Sequence, residues 1–106
     1  MSRVAIMIFR PQKDKLGELI ALLKQSHSAL LKFGIVTARE QILAMSVEGS
    51  VIQILEWTSK QAEEEAAVHD EIRELWMEAE RLCEFQKPIE VKEFTQMFPS
   101  FEVVNQ

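Results

Sequence analysis

The sequence is poor in several residue types, and each shortage excludes a class of protein. A single cysteine rules out an internal disulfide framework, and three glycines and three prolines are too few for a collagen-like or linker-rich chain. The longest unbroken apolar run, Val4 to Phe9, has six residues, whereas a membrane span needs about 20. No secretory leader is predicted, since a long apolar stretch and a small-residue cleavage site are both missing. We therefore expect a protein of the reducing cytoplasm with no membrane partner.

Basic residues are also in deficit, because 12 Lys and Arg stand against 17 Asp and Glu, for a net charge of −5. Residues 1–53 hold seven bases and four acids, whereas residues 54–106 hold five bases and thirteen acids. A nucleic-acid binder carries the opposite excess, so nucleic acid is not an expected partner. Most of the acidic excess lies in a helical pattern between Glu63 and Glu84, where a solvated helix face explains it.

The apolar pattern that is present predicts alternating strands and helices. A strand that is apolar on both faces comes first, followed by a helix whose leucines recur at spacings of three and four. Glu48-Gly49-Ser50 then forms the turn of a β-hairpin. These four elements are predicted over Val4 to Phe9, Lys13 to Lys32, Ala38 to Val47 and Val51 to Trp57.

Two further helices and a final strand are predicted after the hairpin. Thr58 or Ser59 begins a short helix that runs to about Val68, and Asp70 begins a longer one that Pro88 ends. The alternation from Glu90 to Phe98 predicts the last strand, and residues 99–106 form a tail. This order predicts one α+β domain over residues 1–98, with a ferredoxin-like βαββαβ fold and a four-stranded antiparallel sheet.

A single copy of such a domain would leave one face of its sheet uncovered. Both helices cover the same face, yet each strand carries apolar side chains on both, as Ile52 and Ile54 alternate with Leu55 and Trp57. An apolar patch of several hundred Å² marks an interaction surface. A two-fold homodimer that packs sheet on sheet would cover it.

The chain from Arg3 to Phe98 resembles the dimeric α+β barrels, which include antibiotic-biosynthesis-monooxygenase-like domains and stress-responsive dimeric barrel proteins. The resemblance rests on the order of elements and on Glu56-Trp57-Thr58-Ser59-Lys60-Gln61-Ala62, which leads into Leu75-Trp76. It implies that two sheets face each other around a cavity and that the C-terminal tail reaches the partner subunit. Cofactor-independent oxygenases, isomerase-like enzymes and haem-degrading enzymes belong to this superfamily.

The positions that the resemblance assigns to haem degradation are not occupied by the required residues. The first strand has no asparagine, the tryptophan position falls on Ala66, and the histidine position falls near Trp76. We therefore expect neither haem degradation nor haem binding. No metal site is expected, because two histidines and one cysteine stand at no ligand spacing. Hence no cofactor is predicted.

His69 is the candidate catalytic residue, since a neutral imidazole suits proton abstraction and the helix junction lies near the cavity mouth in the resembling family. The alternative is a histidine that only caps or lines a loop. His27 falls in the apolar stripe of the first helix and is expected to be packed there. Cys83 is expected to be an inert core thiol.

The candidate ligand-binding residues are apolar or aromatic, with one amide on the return strand. Gln53 would orient a polar group of the ligand, or else lie at a strand end or dimer contact. The soft side chains suit an apolar ligand as well as a dry dimer core. The set is Met7, Phe9, Met45, Gln53, Leu55, Trp57 and Trp76, with Met97 as a further wall.

The sequence thus predicts a homodimer that binds a small apolar or aromatic molecule. If it is an enzyme, a cofactor-independent monooxygenase or isomerase is expected. The alternative is a non-enzymatic module for dimerisation or ligand sensing.

Overall fold

The computed structural model describes residues 1–104 and has three α-helices and a five-stranded antiparallel sheet, so the predicted α+β class is confirmed. Two short 3-10 turns, Pro88–Glu90 and Lys92–Thr95, follow the fourth strand. In chain order the elements are β1 (Arg3–Pro11), α1 (Leu16–Lys32), β2 (Ile42–Met45), β3 (Val51–Trp57), α2 (Lys60–Val68), α3 (Asp70–Leu82), β4 (Cys83–Gln86) and β5 (Glu102–Val103).

The strands lie in the order β4-β1-β3-β2-β5, so β1 and β3 form the centre of the sheet. Their register pairs Ala5 with Leu55, Met7 with Gln53 and Phe9 with Val51. The predicted hairpin of β2 and β3 is confirmed. Gly49, at φ 95°, provides the positive φ that its turn requires, and the Ser46 N–H donates to the Ser50 carbonyl.

The three helices cover one face of the sheet. The leucine stripe of α1 buries Leu19, Leu23 and Leu30 against that face. The Ser59 hydroxyl caps α2 by accepting the Ala62 N–H at 3.0 Å, as the sequence predicts for one of its two candidate caps. Gly34 follows α1 at φ 71°, a left-handed conformation that lets the chain turn back toward the sheet.

The C-terminal segment, residues 87–104, crosses the other face of the sheet. Val91, Phe94 and Phe101 pack on a row formed by Ile8, Ile52 and Ala44. The carboxylate of Glu93 is buried and accepts the Val47 N–H at 2.8 Å. β5, which lies in the predicted tail, pairs with β2 and forms the edge strand on that side of the sheet. The expectation that this face is bare in one copy is therefore wrong for half of it.

The end of the chain departs most from the prediction. The predicted strand from Glu90 to Phe98 is wrong, because residues 88–95 form the two 3-10 turns and residues 96–98 belong to no strand. The fourth strand comes earlier, at Cys83–Gln86, where the sequence predicts the end of the last helix. The predicted count of four strands becomes five, because Glu102 and Val103 add to the edge of β2. The last two residues of the predicted tail, 105 and 106, lie outside the described residues.

Within residues 1–104, no helix has both the length and the apolar character needed to cross a membrane.

Candidate functional site

An apolar cleft of about 320 Å³ lies between α3 and the outer edge of β1. Its walls include Met7 and Phe9 of β1, Trp76 of α3 and Phe85 of β4. Three of these four side chains are aromatic, and none carries a charge. A cleft with such walls suits a flat apolar molecule.

The strand pairing explains why these side chains meet. Phe9 lies opposite Phe85 in the register of β1 and β4, so both point to the helix-covered face. Their rings meet edge to face, with centroids 5.4 Å apart. Phe9 is buried, whereas Phe85 is 53% exposed and Trp76 is half-buried. The cleft therefore has a fixed floor and a wall that is open to solvent.

A second pocket, of about 420 Å³, has a different character. It lies where the start of β1 meets the beginning of α2, and Arg3, Ser59 and Lys60 are among the residues that line it. These side chains are polar or charged, and no aromatic ring lines the pocket. The cleft beside β1 is therefore the better candidate for an apolar ligand.

The cleft brings together three of the predicted ligand-binding residues, Met7, Phe9 and Trp76. Gln53 is the cross-strand partner of Met7 in β3 and is only 2% exposed. Its Nε2 donates to the Gln41 Oε1 at 2.7 Å, so this amide is bound within the protein. Gln53 thus lies beside Met7 within the core and does not line the cleft.

The other predicted ligand-binding residues lie elsewhere. Leu55 and Trp57 are buried in a core cluster with Ala66 and Ile72, beneath α2 and α3. Met45 pairs with Val51 and Glu102 near the far edge of the sheet. Met97 is exposed in the C-terminal segment.

The expected cavity between two sheets cannot be lined by Met7, Phe9, Leu55 and Trp57. The register places these side chains on the helix-covered face, and the two core clusters that contain or contact them include residues of the helices. Side chains alternate between the two faces of a strand, so the helices can cover either the odd-numbered or the even-numbered residues of β1 and β3. Their apolar stripes cover the odd-numbered residues. The even-numbered set, which includes Ile6 and Ile54, faces away from the helices.

His69 lies at the junction of α2 and α3, as predicted, but it is not among the residues that line the cleft. Its ring packs on Phe33, with centroids 4.3 Å apart, and its buried Nδ1 has no hydrogen-bond partner within residues 1–104. Trp76 stands seven residues further along the chain, or about 10 Å along a helix axis. The structure thus does not bring the candidate base to the cleft, and its catalytic role stays a prediction.

The other two candidates for chemistry are packed side chains. Burial lowers the pKa of His27, whose Nε2 is buried without a partner in the described part of the chain. Burial, with a smaller contribution from the charge of Glu80, raises the pKa of Cys83 to about 11. The Cys83 thiol donates to the Ala79 carbonyl at 3.1 Å, so it is a protected thiol. Among residues 1–104, no group of three or more potential metal ligands comes together.

Glu56 forms a polar cluster that sequence reasoning missed. Its carboxylate accepts hydrogen bonds from the Thr37 hydroxyl at 2.7 Å, the Arg39 Nε at 3.0 Å and the Ser2 hydroxyl at 3.0 Å. These hydrogen bonds, that of Thr37 first, lower the pKa of Glu56. The cluster joins the first residues of the chain to the loop before β2, at the opposite end of β1 from the aromatic floor of the cleft.

Phe85 was also missed as a site residue, although the sequence carried a signal for it. Cys83-Glu84-Phe85-Gln86 alternates apolar and polar residues, which is the period of a strand. The helical spacing from Leu82 to Phe85 and the position of Pro88 favoured a longer helix instead.

The comparisons with known proteins add no relatives: no protein-family model, no curated protein and no solved structure matches this chain.

Proposed function

We propose that this protein is a homodimer whose subunits each bind a small apolar or aromatic molecule in the cleft of Met7, Phe9, Trp76 and Phe85. The observation that carries the proposal is the cleft itself, whose volume of about 320 Å³ and aromatic walls match a compound of two fused rings. No metal or other cofactor is part of the proposal.

The assembly is proposed to be a dimeric α+β barrel of ferredoxin-like domains. The order of the first four strands across the sheet, β4-β1-β3-β2, supports this assignment. An apolar row on the face away from the helices supports the pairing of two sheets, since Ile6 and Ile42 are exposed on either side of half-buried Ile54. A second copy would cover this row.

Two substitutions of equal exposure test the dimer. Ile42 on the open sheet face and Leu31 on the outer side of α1 are both 46% exposed. Ile42→Glu should convert the dimer to single subunits in sedimentation equilibrium at micromolar concentration, whereas Leu31→Glu should leave it intact. A wild-type protein that sediments as one subunit would remove the dimer from the proposal.

The position of His69 favours binding without turnover over catalysis. A general base must lie within hydrogen-bond reach of the proton that it abstracts, and His69 packs on Phe33 instead of lining the cleft. We therefore propose a ligand-binding or ligand-sensing role first and a cofactor-independent monooxygenase or isomerase second.

Titration calorimetry with 2-naphthol tests the cleft. Trp76→Ala removes one aromatic wall and should weaken binding about tenfold, since an aromatic contact contributes about 0.5–1.5 kcal/mol beyond its buried area. Met77→Ala is the matched control, because Met77 is adjacent on α3, is exposed and does not line the cleft. Binding that is equal in both variants would place the ligand elsewhere, and a wild-type protein with no affinity for 2-naphthol would count against an aromatic ligand.

A further inference from the structure

The outer edge of β1 is only half paired. β4 pairs with residues from Ile8 to Pro11, and its last residue, Gln86, stands opposite Ile8. In the part of the chain that the structure describes, no strand lies beside Arg3–Met7 on this side of β1. The edge therefore stays open where it borders the cleft.

The direction of the free peptide groups follows from the alternation of an antiparallel ladder. Gln12 continues beyond β1 and donates its N–H to the Leu82 carbonyl, on the side of β4. Every second residue of an antiparallel strand directs its N–H and C=O to the same side, so those of Ile8, Ile6 and Val4 point to the outer edge as well. The peptide groups of Ile8 are used in the pairing with Gln86, whereas those of Ile6 have no strand to pair with.

Ile6 is one of the residues that line the cleft, although its side chain points to the opposite face of the sheet. The strand thus presents its edge to the cavity at this residue. Two lining side chains carry polar groups. The Oε1 of Gln86 already accepts the Ser50 hydroxyl at 2.5 Å, and the indole of Trp76 offers a donor but no acceptor. The N–H and C=O of Ile6 therefore place a donor directly beside an acceptor at the edge of a largely apolar cleft.

A ligand that fills the cleft removes water from these two groups. Leaving a buried donor or acceptor without a partner costs free energy, whereas a ligand that replaces both water contacts avoids that cost. A site that offers one donor beside one acceptor selects a ligand with the complementary pair.

We propose that the Ile6 peptide group recognises the ligand and that the ligand class is a planar aromatic compound with adjacent N–H and C=O groups, as in an aromatic lactam. The aromatic rings lie against Phe85 and Trp76, while the lactam carbonyl accepts the Ile6 N–H and the lactam N–H donates to the Ile6 carbonyl. This inference rests on the proposed ligand-binding function of the cleft.

The first test compares three compounds that share two fused rings. 2-Quinolinone carries the lactam pair, N-methyl-2-quinolinone keeps the carbonyl but lacks the donor, and 2-naphthol has a hydroxyl in place of the lactam. Calorimetry on the wild-type protein should give 2-quinolinone an affinity about tenfold higher than either of the others, which is the contribution of one well-formed hydrogen bond. Equal affinities would overturn the inference and leave the proposed function standing, whereas binding by none of the three would overturn both.

The second test removes the donor from the protein. Proline has no N–H, and where the N–H faces the unpaired outer side of β1 its loss leaves the ladder between β1 and β3 intact. Ile6→Pro should weaken the binding of 2-quinolinone and of its N-methyl form by the same factor, about tenfold, because both compounds carry the carbonyl that accepts the Ile6 N–H. Val4→Pro is the matched control, because its N–H faces the same edge but Val4 does not line the cleft, and it should leave both affinities unchanged.

Two further measurements distinguish the loss of a hydrogen bond from the unfolding of a variant. Near-ultraviolet circular dichroism of each proline variant must match that of the wild-type protein, and the amide resonance of Ile6 must shift when 2-quinolinone is added to wild type. An unperturbed Ile6 amide in the presence of bound 2-quinolinone would overturn the inference without any substitution. Equal losses in Ile6→Pro and Val4→Pro would also overturn it, since they would indicate a ligand that runs along the edge like an added strand.

Discussion

The two faces of the sheet are covered in different ways. On one face, three helices bury almost every large side chain, and Leu43, Leu55 and Trp57 are each 3% exposed or less. On the other face, the C-terminal segment buries the row of Ile8, Ile52 and Ala44 but leaves the row of Ile6 and Ile42 exposed.

The difference lies in the regularity of the covering segment. A helix repeats its apolar side every 3.6 residues, so α1 can lay a continuous stripe over several strands. The 3-10 turns of the C-terminal segment are short and contribute few anchors, chiefly Val91 and Phe94. An irregular segment therefore covers one row of the sheet and leaves the other row open, which is the row that we propose a second copy covers.

The largest expected effect compares neighbouring residues of β2 that point to opposite faces. Leu43→Ala should lower the free energy of unfolding by about 3 kcal/mol, because it leaves a cavity under the helices. Ile42→Ala should cost less than about 1 kcal/mol at low protein concentration, since Ile42 is 46% exposed in a single subunit. Urea unfolding measures both values.

Repeating the measurement at high concentration sharpens this comparison. If the open face is the dimer interface, the cost of Ile42→Ala rises with protein concentration while that of Leu43→Ala does not. A cost for Ile42→Ala that equals that of Leu43→Ala when subunits are separate would show that the two faces do not differ.

The next effect tests the C-terminal segment. Phe94 is half-buried against the sheet, and its ring lies 5.1 Å from that of Phe101 between centroids. Phe94→Ala should cost about 2 kcal/mol of unfolding free energy, which is less than a fully buried phenylalanine contributes. Phe98 belongs to the same segment and is 84% exposed, so Phe98→Ala is the control and should be nearly neutral. Similar values for both would mean that the segment does not cover the sheet.

The smallest effect concerns His27, a titratable side chain of α1 that is partly shielded from water. Burial lowers the pKa of His27 in α1, so the unfolded chain takes up the proton at a higher pH than the folded one. Stability is therefore fully present above the unfolded value of about 6.5 and is lost as pH falls from there toward the lower folded value. His27→Gln should unfold with a weaker pH dependence than wild type between about pH 7 and pH 5. Identical pH slopes would show that His27 is not shielded by the helices.

Much of the fold could be predicted because its signals are local. The strand of β1, the stripe of α1, the turn at Gly49 and the capping hydroxyl of Ser59 are each specified by a few adjacent residues. The end of α3 could not be predicted in this way. Phe85 satisfies both a helical spacing from Leu82 and a strand alternation from Cys83, and only the pairing of Phe85 with Phe9 decides between them.

The candidate site was harder to predict than the fold. Met7, Phe9 and Trp76 were recognised by residue type, but the sequence grouped them with Leu55 and Trp57, which lie in the core. Side-chain character does not distinguish a cleft wall from a core residue, since both are apolar and aromatic. His69 was placed correctly at its helix junction, yet its neighbour Phe33 directly follows α1, 36 positions earlier in the chain.

The sequence by itself determined the strands β1, β2 and β3 and the three helices up to the end of α3, because periodicity, capping and turn conformation depend on neighbouring residues. Only the tertiary structure decided which face of each strand the helices cover, where the fourth strand begins, and that the edge of β1 opens beside Ile6. These features depend on pairing between distant segments, and no single segment determines the free energy of that pairing.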